Sequence, residues 1–205
     1  MLNDIYITGN CVISDNVVCR NGQSLFEQKE IGLPDFLIAA YHYFDINYPK
    51  FYKMDVVSKL GLLAAEIILK DNFKIEQYKA EDVGIVLSNA NSSLDTDIRY
   101  FDTVKEMASP ALFVYTLPNI VIGEIAIKHK LKGENAFFIT EKFDGTFLKQ
   151  YVTNLFTNGV VQACICGWIE ALGEQYKTVL LLIEKNKRDN AVVFTIENIN
   201  KIYDN

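Results

Sequence analysis

Four residues of turn, Glu141, Lys142, Phe143 and Asp144, follow the short apolar run Phe137, Phe138, Ile139 and its Thr140, and precede an amphipathic stretch that begins at Gly145. A strand that turns tightly into a helix is a frequent seat for a nucleophile, because the first N–H groups of the helix and its dipole favour an anion. This turn holds neither cysteine nor serine. Lys142 would attack a carbonyl only if desolvation lowered its pKa, and between Glu141 and Asp144 it is expected to stay charged. Asp144 suits another task, capping the helix that starts at Gly145.

Elsewhere the chemistry-bearing residues are few. Cys164 and Cys166 lie two apart in "VVQACICGWIEAL", which puts both thiols on one face of a strand. No histidine cluster or second cysteine pair lies near them in sequence, so they read as small buried strand residues, and no metal site is expected. His42 sits among aromatics in "AAYHYFD" and reads as a packed or partly exposed histidine, with no cysteine or serine elbow to pair with. His129, in the basic end "KHKLKG", reads as a favourable charge at a helix C-terminus. The sequon at Asn91 is read as chance. G-x-G-x-x-G, P-loop, G-x-S-x-G and H-E-x-x-H patterns are all absent.

The elements that must position these residues follow from pattern. The 205 residues are half apolar, 22% are charged, and the net charge is −6, which suits one globular domain spanning 1–205 and offers no electrostatic footprint for nucleic acid or an anionic membrane. The opening "MLNDIYITGNCVISD" lacks a basic region followed by a long apolar core, so a cytoplasmic protein is expected, with Cys11, Cys19, Cys164 and Cys166 reduced. "DIYITGNCVIS" reads as a first strand, and Asn16 to Gln28 as a polar, turn-forming stretch. From Lys53 to Lys70, Met54, Val57, Gly61, Ala64 and Ile68 recur at helical spacing, with Asp55 and Lys59 as an i,i+4 pair. "VGIVLSNANSS" suits a strand buried on both faces, and "DIRYFDTVKEM" a short helix. Ser109-Pro110 starts a helix that Pro118 interrupts and Gly133 stops. After Gly159, "VVQACICGWIEAL", "KTVLLLIEKN" and "NAVVFTIEN" read as three strands, the last two joined by "KNKRDN". Strands alternating with helices and then following one another predict an α/β sheet, mostly parallel, with an antiparallel edge.

Taken in order, these stretches resemble the N-terminal half of a β-ketoacyl-acyl carrier protein synthase. "IYITGNCVIS" is similar to the family's first strand and turn, and "KMDVVSKLGLLAAEIIL" to its following helix. "ASPALFVYTLPNIVIGEIAIKHKLKGENAFF" matches the family's longest run through Ser109, Pro110, Pro118, Asn119, Ile125, Leu131, Gly133 and Asn135. "NGVVQACICGWIEAL" matches through Gly159, Gly167, Glu170 and Ala171. The resemblance runs from about residue 5 to 172. It implies a thiolase-like half fold, a layered five-stranded sheet with helices on both faces, and no cofactor. In the family an acyl-accepting cysteine follows the strand after Asn135, and counting places that position at Lys142, within one residue. Glu141, Lys142 and Phe143 form a degenerate elbow, and the family's second half, with its two histidines and lysine, has no counterpart in these residues.

The resemblance therefore implies a catalytically inactive relative, an accessory or binding subunit in fatty-acid, polyene or polyketide-type synthesis. Its partners would be a complete synthase, an acyl carrier protein or a second copy. The alternatives are an acyl-thioester enzyme of changed mechanism using Lys142 or His42, and a homodimer binding a small ligand. Binding candidates are Thr116, Asn119, Thr140, Lys142, Phe143 and Asp144. Asn135, Phe137, Phe138 and Ile139 are expected at a twofold edge-to-edge interface. The helix after the elbow has an apolar face of Phe147, Leu148, Tyr151, Val152, Leu155 and Phe156. Its opposite face carries Lys149, Gln150, Thr153, Asn154 and Thr157, as expected where solvent or a polar partner lies on one side.

Overall fold

The computed structural model describes residues 4–70 and 73–205. The first strand, β1 (Tyr6–Ser14), turns at Asp15 and Asn16, both at positive φ, into β2 (Val17–Arg20), which pairs with β3 (Gln23–Glu27). The stretch expected to be turn alone is thus a small antiparallel hairpin. Its strands, of four and five residues, are too short to announce themselves by alternation.

Helix α1 (Leu33–Tyr43) precedes α2 (Val56–Leu69), whose N-cap is Asp55. The expected apolar stripe of α2 is buried, but so are Leu60, Leu62, Leu63, Ala65 and Ile67, so the helix is enclosed on almost every side. Each of the leucines and the isoleucine among them contributes roughly 1.5–3 kcal/mol by leaving water. Asp55 is correspondingly no surface partner for Lys59: its carboxylate is buried and accepts from the Ser58 N–H at 3.1 Å and the Thr96 hydroxyl at 3.3 Å.

Strand β4 (Val83–Asn89) is buried at every residue, as a strand covered on both faces must be. Helices α3 (Leu94–Val104), α4 (Pro110–Val114, capped by the Ser109 side chain) and α5 (Ile120–His129) follow. Pro118 does separate α4 from α5. The stop comes before Gly133, because Lys130 takes the left-handed conformation and closes the helix. Then come β5 (Asn135–Ile139) and α6 (Gly145–Thr157), followed by a long hairpin of β6 (Ala163–Leu172) and β7 (Gln175–Glu184). "NAVVFTIEN" is not a third strand. It gives the two-residue β8 (Val192–Val193), then α7 (Ile196–Asp204) capped by Thr195.

The strands form one sheet in the order β3-β2-β1-β7-β6-β4-β5, with β8 also paired to β1. Eight strands replace the expected five, the hairpin and β8 making the difference. Parallel pairing holds the core β6-β4-β5, while the antiparallel part reaches well inside the sheet through β7 and β1. Alternate residues of each strand feed opposite faces. Ile165, Leu180 and Leu182 pack with α1, α2 and α5, whereas Cys164, Cys166, Leu181 and Ile183 pack with α6 and α7. The α/β layering with helices on both faces is therefore present, and the two cysteines share one buried face as their spacing required. Gly167 sits at φ 154°, where a β-carbon would run into the Val179 carbonyl of β7. Among the described residues no helix is long and apolar enough to cross a membrane.

Candidate functional site

β4 and β5 end together, Asn89 beside Ile139, while β6, whose Trp168 lies beside Ser88, runs on to Leu172. Ligands of open α/β sheets bind outside such carboxyl ends. Beyond β4 the chain is held tightly. Asn89, fully buried, donates from Nδ2 to the Ser92 carbonyl at 2.8 Å and accepts the Ser92 N–H at Oδ1 at 2.9 Å. Glu170 of β6 accepts the N–H groups of Ala90 (2.6 Å), Asn91 (3.2 Å) and Ala171 (3.0 Å) and the Asn91 side-chain amide (3.0 Å). Ser93 Oγ lies 2.8 Å from the Thr116 carbonyl and 3.1 Å from Asp97 Oδ2, its one proton serving either.

The elbow joins this frame from β5. Thr140 donates its N–H to the Asn89 carbonyl at 2.9 Å, and its hydroxyl to the Lys142 carbonyl at 3.0 Å. Glu141 and Lys142 are exposed, and Phe143 is half-buried. Asp144 then accepts the N–H groups of Thr146 and Phe147, both at 2.9 Å, on a single oxygen. The positive end of α6, which such a turn would otherwise lend to an anion, is thus occupied by the chain's own carboxylate.

A second cover comes from α7. The Tyr203 ring lies flat on Phe143, centroids 4.0 Å apart and planes 3° from parallel, while Trp168 meets Phe143 edge-on at 6.1 Å. Lys177 Nζ stands 4.6 Å from the Tyr203 ring centroid. Burial first, then the nearby carboxylates of Asp204 and Glu170, pushes the Tyr203 phenol above its ordinary range. Gly145 allows this closure, since a β-carbon there would strike Oδ1 of Asn200 on α7.

Of the binding candidates, Thr140, Lys142, Phe143 and Asp144 are contiguous at the elbow, and Thr116 joins them through Ser93, the Asn89 turn and Thr140. Asn119 stands apart, exposed before α5 with no capping bond from its side chain. His42 is exposed on α1, in the layer of α2, its Nε2 3.4 Å from the Tyr52 hydroxyl, so it belongs to a different layer from α6. Asn135, Phe137, Phe138 and Ile139 occupy β5, the last strand of the sheet. Phe138 points at Phe147 and Tyr151 of α6, centroids 4.9 Å from each, while Ile139 is 51% exposed. Asn89, Trp168, Lys177 and Tyr203 were not among the residues singled out by sequence. Asn89 alone left a signal, an amide ending an apolar run.

Solved structures similar to this arrangement include ketosynthases. The ishigamide ketosynthase/chain length factor superposes with a TM-score of 0.65 at 17% identity, over 93% of this chain and 64% of that one. A β-ketoacyl synthase from Burkholderia phymatum gives 0.61 at 16%, over 93% and 62%. A ketosynthase in complex with its chain length factor from Xenorhabdus doucetiae gives 0.60 at 12%, over 89% and 79%. The chain has the ketosynthase, thiolase-like fold. It spans less than two thirds of the length of the first and second of these. No protein-family model matches the sequence, and no curated protein does. Within the ketosynthase-like fold, the counted nucleophile position, Lys142, falls in the turn between β5 and α6, and the thiols of Cys11, Cys164 and Cys166 are buried in the sheet.

Proposed function

We propose that the protein is a catalytically inactive, β-ketoacyl-synthase-like subunit that serves fatty-acid or polyketide-type synthesis by binding a protein partner. The observation that carries this is the elbow itself. Lys142 replaces a thiol, Asp144 takes the helix's positive end, and Phe143 is closed under Tyr203. An acyl enzyme needs a nucleophile and N–H donors aimed at the developing oxyanion; here the counted nucleophile position holds a lysine, and the Thr146 and Phe147 N–H groups are bound to Asp144.

The partner is a second copy of the chain or a complete synthase. β5 ends the sheet, its far edge unpaired among the described strands, and α3 and α4 expose Leu94, Ile98, Phe101, Val104, Phe113 and Val114. So many exposed apolar side chains on two touching helices favour a protein-covered surface. The X. doucetiae ketosynthase is a complex with its chain length factor, which supports pairing as a use of this fold. Purified protein incubated with acyl-carrier thioesters and a malonyl donor should show no added mass on the intact chain and no condensation product. An acyl adduct on Lys142, or any condensation, would overturn the reading in favour of an enzyme of changed mechanism.

A further inference from the structure

In the layer of α1, α2 and α5, away from the elbow, a cavity of about 270 Å³ opens where these three helices end. It lies at the small end of ligand pockets, which begin at roughly 300 Å³. Phe44, just past α1, and Leu69, Phe73 and Ile75 make apolar walls. Glu66 and Lys70 come from the last turn and C-cap of α2, and His129 is the last residue of α5. Three helix C-termini facing one space place three partial negative charges around it. Exposed Asp45 and half-buried Glu66 add carboxylates, against the single ammonium of Lys70. That ammonium is already seated on a helix end, donating to the Phe44 carbonyl at 3.3 Å.

One pair in the cavity is incompletely satisfied. His129 Nε2 lies 2.7 Å from Glu66 Oε1, yet out of line for a hydrogen bond, so among the described residues neither buried atom has a partner of good geometry. Those two atoms face each other out of solvent, so the other Glu66 oxygen is the one a ligand in the cavity would meet.

We infer that this cavity binds a small organic cation, an ammonium group on an apolar body. The body lies between the Phe44 and Phe73 walls, the ammonium donates to the Glu66 carboxylate, and the aromatic faces and helix ends favour its charge. A carboxylate ligand would meet Glu66, Asp45 and three negative helix ends, and a neutral one would leave that field unused. The inference is independent of the elbow and of any partner.

The test is a titration followed by NMR of isoleucine methyl groups, at pH 8, above the usual titration range of imidazole. Benzylammonium is compared with benzyl alcohol and benzoate, which share its shape. Benzylammonium should shift the Ile67 and Ile75 methyls saturably and bind at least about tenfold more tightly than the other two. Glu66→Gln, with an unchanged unfolding midpoint, should bring it down to the level of the alcohol. Equal binding of the alcohol or benzoate, or no saturable shift at these methyls with any probe, overturns the inference. If Glu66→Gln does not fold, the three probes on the wild-type protein decide the matter alone.

Discussion

Asp55 receives the Ser58 N–H and the Thr96 hydroxyl while almost wholly shielded from solvent. Burial pushes its carboxyl above the ordinary value of 3.8 more than these bonds pull it down. The folded chain therefore holds this proton more tightly than the unfolded one. Stability from this group is fully present below the unfolded value and is lost as pH rises toward the raised one. Asp55→Asn keeps an N-capping oxygen and removes the charge. Urea midpoints of the two proteins, compared across pH, should show wild type losing ground to Asp55→Asn from about pH 4 upward and the variant at least as stable at pH 7. A wild type that gains on the variant with rising pH would mean the hydrogen bonds outweigh burial. Sequence put Asp55 inside a helix running from Lys53 and paired it with Lys59 by spacing, whereas it caps a helix that begins at Val56. Its burial depends on Thr96, 41 positions along the chain, and no local pattern carries such a contact.

At the scale of elements, α6 is the piece whose sequence is most explicit. Leu148, Val152 and Phe156 are buried while Gln150, Asn154 and Thr157 face outward, and Asp144 caps as its position required. Asp144→Ala frees two N–H groups at an exposed helix start and should cost about 1 kcal/mol, read as a lowered unfolding midpoint. An unchanged midpoint would mean water replaces the carboxylate without loss. The end of the chain was less legible. "AVVFTIEN" is β-branched and aromatic, which favours strand on propensity, yet Thr195 capping Asn198 and the apolar Ile196, Ile199 and Ile202 make a short helix that docks on α6. Tertiary packing decided that segment against its local preference. Packing also decided the site: the elbow could be found by eye, whereas Tyr203 over Phe143 joins residues 60 apart.

For the whole molecule the decisive feature is the edge of β5 that no described strand covers. "NAFFIT" is uncharged, aromatic-rich and free of proline, a hazard if left unpaired. Pairing with its twin about a twofold axis would remove the hazard in both copies. Because Phe138 packs inward on α6, Ile139→Lys is the cleaner probe. Light scattering should find wild type as a dimer at micromolar concentration and Ile139→Lys as monomer or aggregate. A monomeric wild type would leave a different protein as the occupant of that edge.

The order of the sheet also bears on how the chain is made. β1 is the earliest strand and lies in the interior, but its long neighbour is β7, with Cys11 beside Leu180. During translation only β2 follows β1 closely enough to pair with it at once, and its other edge waits for β7, about 160 residues further along the chain. Contacts this distant along the chain make folding slow and leave apolar strands open to wrong partners meanwhile. Until β7 arrives, β2, itself backed by β3, covers one edge of β1 while the other stays open.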